Sequence, residues 1–108
     1  MDELLLHATF AQATPGCVTL SDDSVHVWAV PLDGDHEPFG HLLSALEREH
    51  LGRFRFAEHQ RRYQISHGAL RVVLGGYLGA EAAGLGFRIG PRGKPYLDRD
   101  GLCFNLSH

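Results

Sequence analysis

The sequence predicts an α+β domain in which a small sheet packs against one long helix. Apolar residues between Ala57 and Gly79 recur at helical spacing, whereas short stretches rich in valine and aromatic residues lie on both sides of that segment. The chain has 108 residues and no internal repeat or low-complexity tract, which suits one domain with a modest core.

Residues 1–23 show no clean period and contain a Thr-Pro-Gly turn signal, so we interpret them as a loosely attached leader to a domain at residues 24–108. Acidic residues precede the short apolar run near the start, whereas a secretory signal would carry positive charge there. No run approaches the roughly 20 apolar residues of a membrane span. Cys17 and Cys103 form neither a disulfide framework nor a metal-binding spacing. We therefore expect a cytoplasmic protein.

Val25–Val30 alternates valines around a tryptophan, which predicts a strand. A first helix should follow and close at Gly52, because a series of apolar residues recurs at helical spacing: Phe39, Leu42, Leu43, Leu46 and Leu51. The long amphipathic helix then runs from Ala57 to Gly79. Its apolar face should contain Tyr63, Leu70, Leu74, Tyr77 and Leu78.

The remainder of the chain is rich in glycine and predicts short extended pieces. Phe87–Ile89 is a short strand candidate, and Lys94–Leu97 should be extended because residues before proline avoid the helical region. Residues 98–101 predict a turn, after which Leu102–Leu106 is a further strand candidate.

The formal net charge of −3 argues against a general nucleic-acid binder, which needs a basic field. Arginines nevertheless concentrate in the middle of the chain, and they form either a local anion site or a solvated helix face: Arg53, Arg55, Arg61, Arg62 and Arg71. The 8 histidines include no closely matched pair of the kind that holds zinc on a helix, so no metal site is expected.

Three common site motifs fail. A Walker phosphate loop ending at Gly93-Lys94 would need glycine in place of Arg88 and Ser or Thr in place of Pro95. Gly84-Leu85-Gly86 begins like a dinucleotide fingerprint, but the third glycine is missing. Ser107 and His108 cannot form a nucleophile–base dyad in a strand, because neighbouring side chains there point to opposite faces.

Two further motifs occur close together near the end of the sequence. Gly90–Leu97 reads Gly-Pro-Arg-Gly-Lys-Pro-Tyr-Leu, and Cys103–His108 reads Cys-Phe-Asn-Leu-Ser-His. With this order, Val25–His108 resembles the N-terminal half of the larger, pseudo-dimeric 4'-phosphopantetheinyl transferases, which include the surfactin-synthetase-activating type. The resemblance implies a small antiparallel sheet packed against the long helix, as one half of a pseudo-twofold fold.

Enzymes of that family move the phosphopantetheine arm of coenzyme A onto a serine of an acyl or peptidyl carrier protein. The resemblance therefore implies coenzyme A as co-substrate, with cations recognising its phosphates through charge-assisted hydrogen bonds. It implies that seven residues contribute to coenzyme A binding: His50, Arg92, Gly93, Lys94, Asn105, Ser107 and His108. His50 stands where the family usually has Lys or Arg, and a histidine is only partly charged at neutral pH, which weakens the case for a strong 3'-phosphate contact there.

His67 and Arg71 lie one helical turn apart, and they form either a polar stripe or a buried hydrogen-bonded pair. We favour a structural role for both. No residue of the chain is predicted to be catalytic or to bind a metal.

The family's second half supplies a Gly-x-Asp-x-Glu magnesium motif and a Trp-x-x-Lys-Glu segment, and neither occurs here. We therefore expect an excised half or a split-gene product that is inactive alone and needs the missing C-terminal half. A homodimer of the chain is a second expectation, with no nucleic-acid or membrane partner. Two alternatives stay open, namely a non-catalytic binding or regulatory module on the same half-fold and a structural interaction domain with solvated arginines.

Overall fold

The computed structural model describes residues 26–98 and 102–106, so the predicted leader and the pair Ser107-His108 lie outside the described residues. The order of elements confirms the α+β class, with a two-stranded antiparallel sheet beside one long helix. In chain order the elements are a 3₁₀ helix (Glu37–Leu42), α1 (Ala45–Gly52), α2 (Ala57–Leu78), a second 3₁₀ helix (Ala82–Gly84), β1 (Phe87–Ile89) and β2 (Pro95–Leu97).

Helix α2 is the centre of the fold, and its predicted extent is confirmed. It ends where Gly79 adopts the left-handed conformation (φ 64°), a backbone geometry that glycine adopts without steric cost. The most buried face lies beside the predicted one, because Ile65, Ala69 and Val72 are buried whereas Tyr63 is only half-buried. Tyrosines keep a polar tip near solvent, which places them at the margin of the apolar face.

Two apolar clusters pack on α2. The first surrounds Phe39, Ile65, Ala69 and Val72, and the second joins Leu74 to Leu85 and Leu97. The 3₁₀ helix at Glu37–Leu42 therefore covers the middle of α2. The hairpin of β1 and β2 covers the C-terminal part.

The predicted first helix is divided into two elements. Leu43 is extended (ψ 142°), and Ser44 starts α1 through a capping box with Glu47. The Ser44 hydroxyl accepts from the Glu47 amide at 3.2 Å, while the Glu47 carboxylate accepts from the Ser44 amide at 2.8 Å. This reciprocal capping favours a new helix start over continuation, since it satisfies backbone donors that a helix end leaves free. The predicted end at Gly52 is confirmed.

The strand predicted at Val25–Val30 is wrong for residues 26–30, which belong to no strand; Val25 lies outside the described residues. Side chains hold this segment instead. Trp28 donates its indole N–H to the hydroxyl of Tyr77 at 2.7 Å, and Nδ1 of His26 lies 2.5 Å from the same hydroxyl. Burial raises the pKa of Tyr77, and the Trp28 hydrogen bond opposes that rise only in part.

The hairpin confirms the strand at Phe87–Ile89 and the extended Pro95–Leu97. Phe87 pairs with Leu97, and Ile89 pairs with Pro95 at the loop end. The strand predicted at Leu102–Leu106 is wrong, because residues 102–106 belong to no strand and pack through side chains against the second cluster. Of the turn predicted at residues 98–101, only Asp98 is described.

Within the described residues, no helix is both long and apolar enough to cross a membrane.

Candidate functional site

The loop between β1 and β2 is a tight, glycine-dependent turn. The Gly90 amide donates to the Lys94 carbonyl at 2.9 Å, and the Gly93 amide donates to the Gly90 carbonyl at the same distance. Gly93 has φ 80°, a conformation that L-residues with a side chain rarely adopt. Glycine at position 93 thus lets the loop close while the neighbouring Arg92 and Lys94 remain exposed.

A groove of about 500 Å³ opens beside this loop, and we call it the loop groove. Its lining residues are Gly90, Pro91, Arg92, Lys94, Tyr96, Leu97, Leu102, Cys103 and Phe104. One side is therefore the hairpin with its two cations, and the other side is the segment at residues 102–104. Within residues 26–98 and 102–106, neither Arg92 nor Lys94 takes part in a salt bridge or a side-chain hydrogen bond.

The structure brings together part of the predicted site. Arg92 and Lys94 both line the loop groove, with Gly93 between them. Asn105 is exposed and follows the last lining residue, but it does not line the groove itself. His50 is in the last turn of α1 and does not line the groove either. Ser107 and His108 lie outside the described residues.

His50 belongs to a separate group of rings. Its imidazole lies 5.4 Å from the ring of Phe54 and 5.1 Å from that of Tyr63, measured between centroids. Tyr63 in turn stacks on His67 at 4.0 Å. Burial and the nearby charge of Glu47 raise the pKa of Tyr63 to about 12, although Arg71 opposes the rise. The phenol therefore stays neutral at physiological pH.

Sequence reasoning missed the most tightly bonded polar group of the described residues, which is centred on Arg71. This side chain is only 2% exposed. Its Nε and Nη2 each lie 2.7 Å from Oε1 of Glu47, while Nη1 donates to the carbonyls of Ala82 at 2.9 Å and Leu85 at 3.0 Å. The guanidinium also lies 5.0 Å from the ring centroid of Phe87. The arginine thereby joins α1, α2 and the start of the hairpin.

The spacing of His67 and Arg71, one helical turn apart, did carry a partial signal, because both side chains face Glu47. Nδ1 of His67 lies 3.7 Å from Oε2 of that carboxylate, which is an ion-pair distance and too long for a hydrogen bond. The favoured structural role is supported for Arg71, which is buried and satisfied. The partner of both residues is a carboxylate from a different helix.

Burial raises the pKa of Glu47, but this effect is outweighed by its other neighbours. The His67 ring, the Ser44 amide and the Arg71 guanidinium all favour the charged carboxylate and lower its pKa to about 2. Glu47 is thus ionised over the whole physiological range and balances the buried charge of Arg71.

The loop groove has the chemistry of an anion site with an apolar floor. Two cations on a glycine-containing loop can bind phosphate oxygens, and the apolar residues around Leu97 and Phe104 can contact an uncharged part of the same ligand. Among residues 26–98 and 102–106, no three His, Cys, Asp or Glu side chains come together in a way that could hold a metal ion.

The chain is similar to the 4'-phosphopantetheinyl transferase HetI of Nostoc sp. strain PCC 7120, with 45% identity over 101 residues that cover 87% of this chain. This match supports the 4'-phosphopantetheinyl transferase family. The chain spans only 43% of the length of HetI. No family model matches the chain, and no solved structure matches it significantly.

The match to a 4'-phosphopantetheinyl transferase agrees with the family that the Gly-Lys-Pro and Phe-Asn-Leu-Ser-His motifs indicated. It does not distinguish the pseudo-dimeric type from other members, and it assigns no residue a role.

Proposed function

We propose that this chain is part of a 4'-phosphopantetheinyl transferase, which moves the phosphopantetheine arm of coenzyme A to a serine of an acyl or peptidyl carrier protein. The observation that carries the proposal is the 45% identity to HetI over most of the chain. We further propose the pseudo-dimeric, surfactin-synthetase-activating type, on the Gly-Lys-Pro and Phe-Asn-Leu-Ser-His motifs.

The contribution of this chain would be to bind coenzyme A through its phosphates at the loop groove. Arg92 and Lys94 have no competing ion pair within the described part of the chain, so their charges are available to an anion. Gly93 lets the backbone approach the ligand closely. Asn105, Ser107 and His108 would extend the site along the segment that follows the groove wall, and His50 would add a weaker contact from α1.

The whole enzyme would use magnesium to balance phosphate charge in the transition state. The described residues do not fit that ion, because they contain no group of three candidate ligands. We therefore place the magnesium ligands and the base for the carrier serine in a missing C-terminal half, which would be the obligatory partner of this chain. A cytoplasmic location agrees with the two lone cysteines.

Isothermal titration calorimetry with coenzyme A tests the proposed site on the full chain. We expect weak binding that falls as salt is raised, because charge attraction at exposed sites is screened over about 8 Å at physiological ionic strength. Lys94→Ala should weaken binding about tenfold, the effect of losing one charge-assisted hydrogen bond.

Arg88→Ala is the matched control, since Arg88 is an exposed cation of β1 that does not line the groove. It removes the same charge and should leave affinity within about twofold of the wild type, because Arg88 does not line the groove and solvent and salt screen an exposed charge that makes no direct contact with the ligand. Equal binding by wild type and Lys94→Ala would remove Lys94 from the site. If Lys94→Ala and Arg88→Ala weaken coenzyme A binding equally, the effect of Lys94 comes from the overall charge of the chain and not from a direct contact.

A non-catalytic binding or regulatory module on the same half-fold is the second candidate. It is favoured by the lack of any Gly-x-Asp-x-Glu motif in the 108 residues. The reading frame that follows His108 separates the two candidates. A Gly-x-Asp-x-Glu sequence within the next few tens of codons supports the transferase, and its absence supports the module.

A further inference from the structure

Arg71 does not line the loop groove, but it contacts the base of the hairpin that forms one wall and is linked to the other wall through Phe87. The guanidinium donates to the Leu85 carbonyl at 3.0 Å, two residues before β1 begins. It also lies 5.0 Å from the ring centroid of Phe87, the first residue of β1. Phe87 in turn makes an edge-to-face contact with Phe104, at 5.9 Å between ring centroids, and Phe104 lines the groove.

The base of the hairpin is closed next to these contacts. The Asp98 amide donates to the Gly86 carbonyl at 3.3 Å, directly after β2 and directly before β1. From that point the paired strands extend to the loop, which is itself closed by the two hydrogen bonds between Gly90, Gly93 and Lys94. The hairpin is therefore closed by hydrogen bonds at both ends, and Arg71 contacts it at its base.

A small rotation of the hairpin about its base produces a larger displacement at the loop. Three residue pairs separate base and loop, which is about 10 Å at the usual rise per strand residue. A rotation of roughly 10° at the base would therefore move Arg92 and Lys94 by about 2 Å, more than a charge-assisted hydrogen bond tolerates.

Arg71 itself is held in place from the opposite side. Its Nε and Nη2 both lie 2.7 Å from Oε1 of Glu47, and that carboxylate is fixed by the Ser44 amide at the start of α1. At 2% exposure the guanidinium has no room to change its rotamer without breaking these bonds. A lysine offers one ammonium point and cannot serve Glu47, the two carbonyls and the Phe87 ring with the same planar fork.

We propose that Arg71 is a positioning residue, which orients the loop groove by holding the start of the hairpin and, through Phe87, the opposite groove wall. This inference rests on the proposed function only for the ligand, coenzyme A, since the effect on the loop exists without it. We therefore expect that changing Arg71 speeds amide exchange in the loop and weakens ligand binding at the groove by more than a general loss of stability would.

Amide hydrogen exchange on the full chain tests this directly. In Arg71→Lys, the Gly90 and Gly93 amides should exchange at least about tenfold faster relative to the Ala69 amide, which lies at the buried centre of α2. Ile65→Val and Ile65→Ala are the controls, because they lower stability through the first apolar cluster without touching the hairpin. In both controls the exchange ratio of loop to helix should not rise, because a lower global stability speeds exchange at the buried Ala69 amide at least as much as at the loop amides.

Phe87→Leu is the second variant, and it keeps the proposal testable if Arg71→Lys does not fold. It removes the ring between the guanidinium and Phe104 but keeps an apolar side chain of similar size. It should also raise the exchange ratio. In both Arg71→Lys and Phe87→Leu, calorimetry should show coenzyme A bound about tenfold more weakly, while Ile65→Val binds as the wild type does below its unfolding transition.

Wild-type exchange ratios and affinities in Arg71→Lys and Phe87→Leu would overturn the positioning role. A wild type that shows no binding of coenzyme A at low salt would instead overturn the proposed coenzyme A site. In that case the exchange ratios still decide whether Arg71 orients the loop.

Discussion

The guanidinium of Arg71 on α2 meets the carboxylate of Glu47 on α1 through two nitrogens, each 2.7 Å from Oε1. The pair is almost closed to solvent, with side chains 2% and 15% exposed. The third nitrogen, Nη1, donates to the carbonyls of Ala82 and Leu85. No buried side-chain polar atom of the described residues lacks a hydrogen-bond partner. A satisfied buried pair of this kind is costly to break from one side, because the other charge is then left unpaired.

Stability should therefore depend on acid pH through Glu47. Its pKa falls from an ordinary 4.5 to about 2 in the folded protein, so its stabilising effect is complete above 4.5 and is lost as pH falls towards 2. The loss should be on the order of 3 kcal/mol, at about 1.4 kcal/mol per pKa unit. Urea unfolding across this pH range measures it. Glu47→Gln should flatten the dependence, whereas Glu49→Gln, at an exposed carboxylate, should not.

Gly68→Ala should destabilise the protein by about 1–3 kcal/mol, because the added methyl group has no space. A Cβ at position 68 would lie 2.8 Å from Cγ of Phe39, whose ring belongs to the first apolar cluster. Gly52→Ala is the control, since a Cβ there meets nothing within 4 Å. Thermal unfolding should show a clear loss for Gly68→Ala only. A wild-type melting temperature for Gly68→Ala would mean that Phe39 moves aside at no cost.

Gly93→Ala should cost about 1–2 kcal/mol, because an L-residue is strained in the left-handed conformation that Gly93 adopts at φ 80°. The loss should be accompanied by weaker coenzyme A binding, since the same turn presents Arg92 and Lys94. Gly84→Ala, with open space around its Cβ position and no positive φ, should be close to neutral in both measurements. Unchanged stability in Gly93→Ala would show that the turn relaxes to another type.

The isolated chain should transfer no phosphopantetheine to a carrier protein, with or without magnesium. The physical reason is that the described residues contain no group of three side chains that could hold the metal, and the sequence lacks the family's magnesium motif. Mass spectrometry of a carrier protein after incubation with coenzyme A measures the added arm. The appearance of an arm with purified chain would refute the need for a second half.

The chain should self-associate as a dimer when the second half is absent. The hairpin exposes Ile89 (60%) and Tyr96 (47%), and within the described residues its two strands pair only with each other. Such free edges are templates for pairing. A specific dimer should bury at least about 1,000 Å² in total.

Light scattering separates this dimer from the alternative in which residues 1–23 cover the same patch. The full chain is compared with a shortened chain that begins at Ser24. Association of both supports the dimer. If the full chain stays monomeric while the shortened chain associates, residues 1–23 cover the patch and the predicted dimer of the full chain is wrong.

The elements that the sequence predicted correctly are those whose evidence is local. The period of α2, its end at Gly79 and the short strand Phe87–Ile89 follow from neighbouring residues alone. The two wrong strands, at residues 26–30 and 102–106, have strand-like composition but no ladder partner among the described residues. A strand is stabilised by its neighbour, so composition alone does not decide it.

By itself the sequence determined the glycine- and proline-rich loop that carries Arg92 and Lys94, because glycine permits a positive φ and proline fixes φ wherever they occur. Only the tertiary structure decided what holds that turn in place. Glu47 and Arg71 are 24 positions apart on different helices, and Leu85 and Phe87 come from a third segment. Which carboxylate meets a given guanidinium depends on how the helices pack, and that packing is set by the combined burial of many side chains rather than by local spacing.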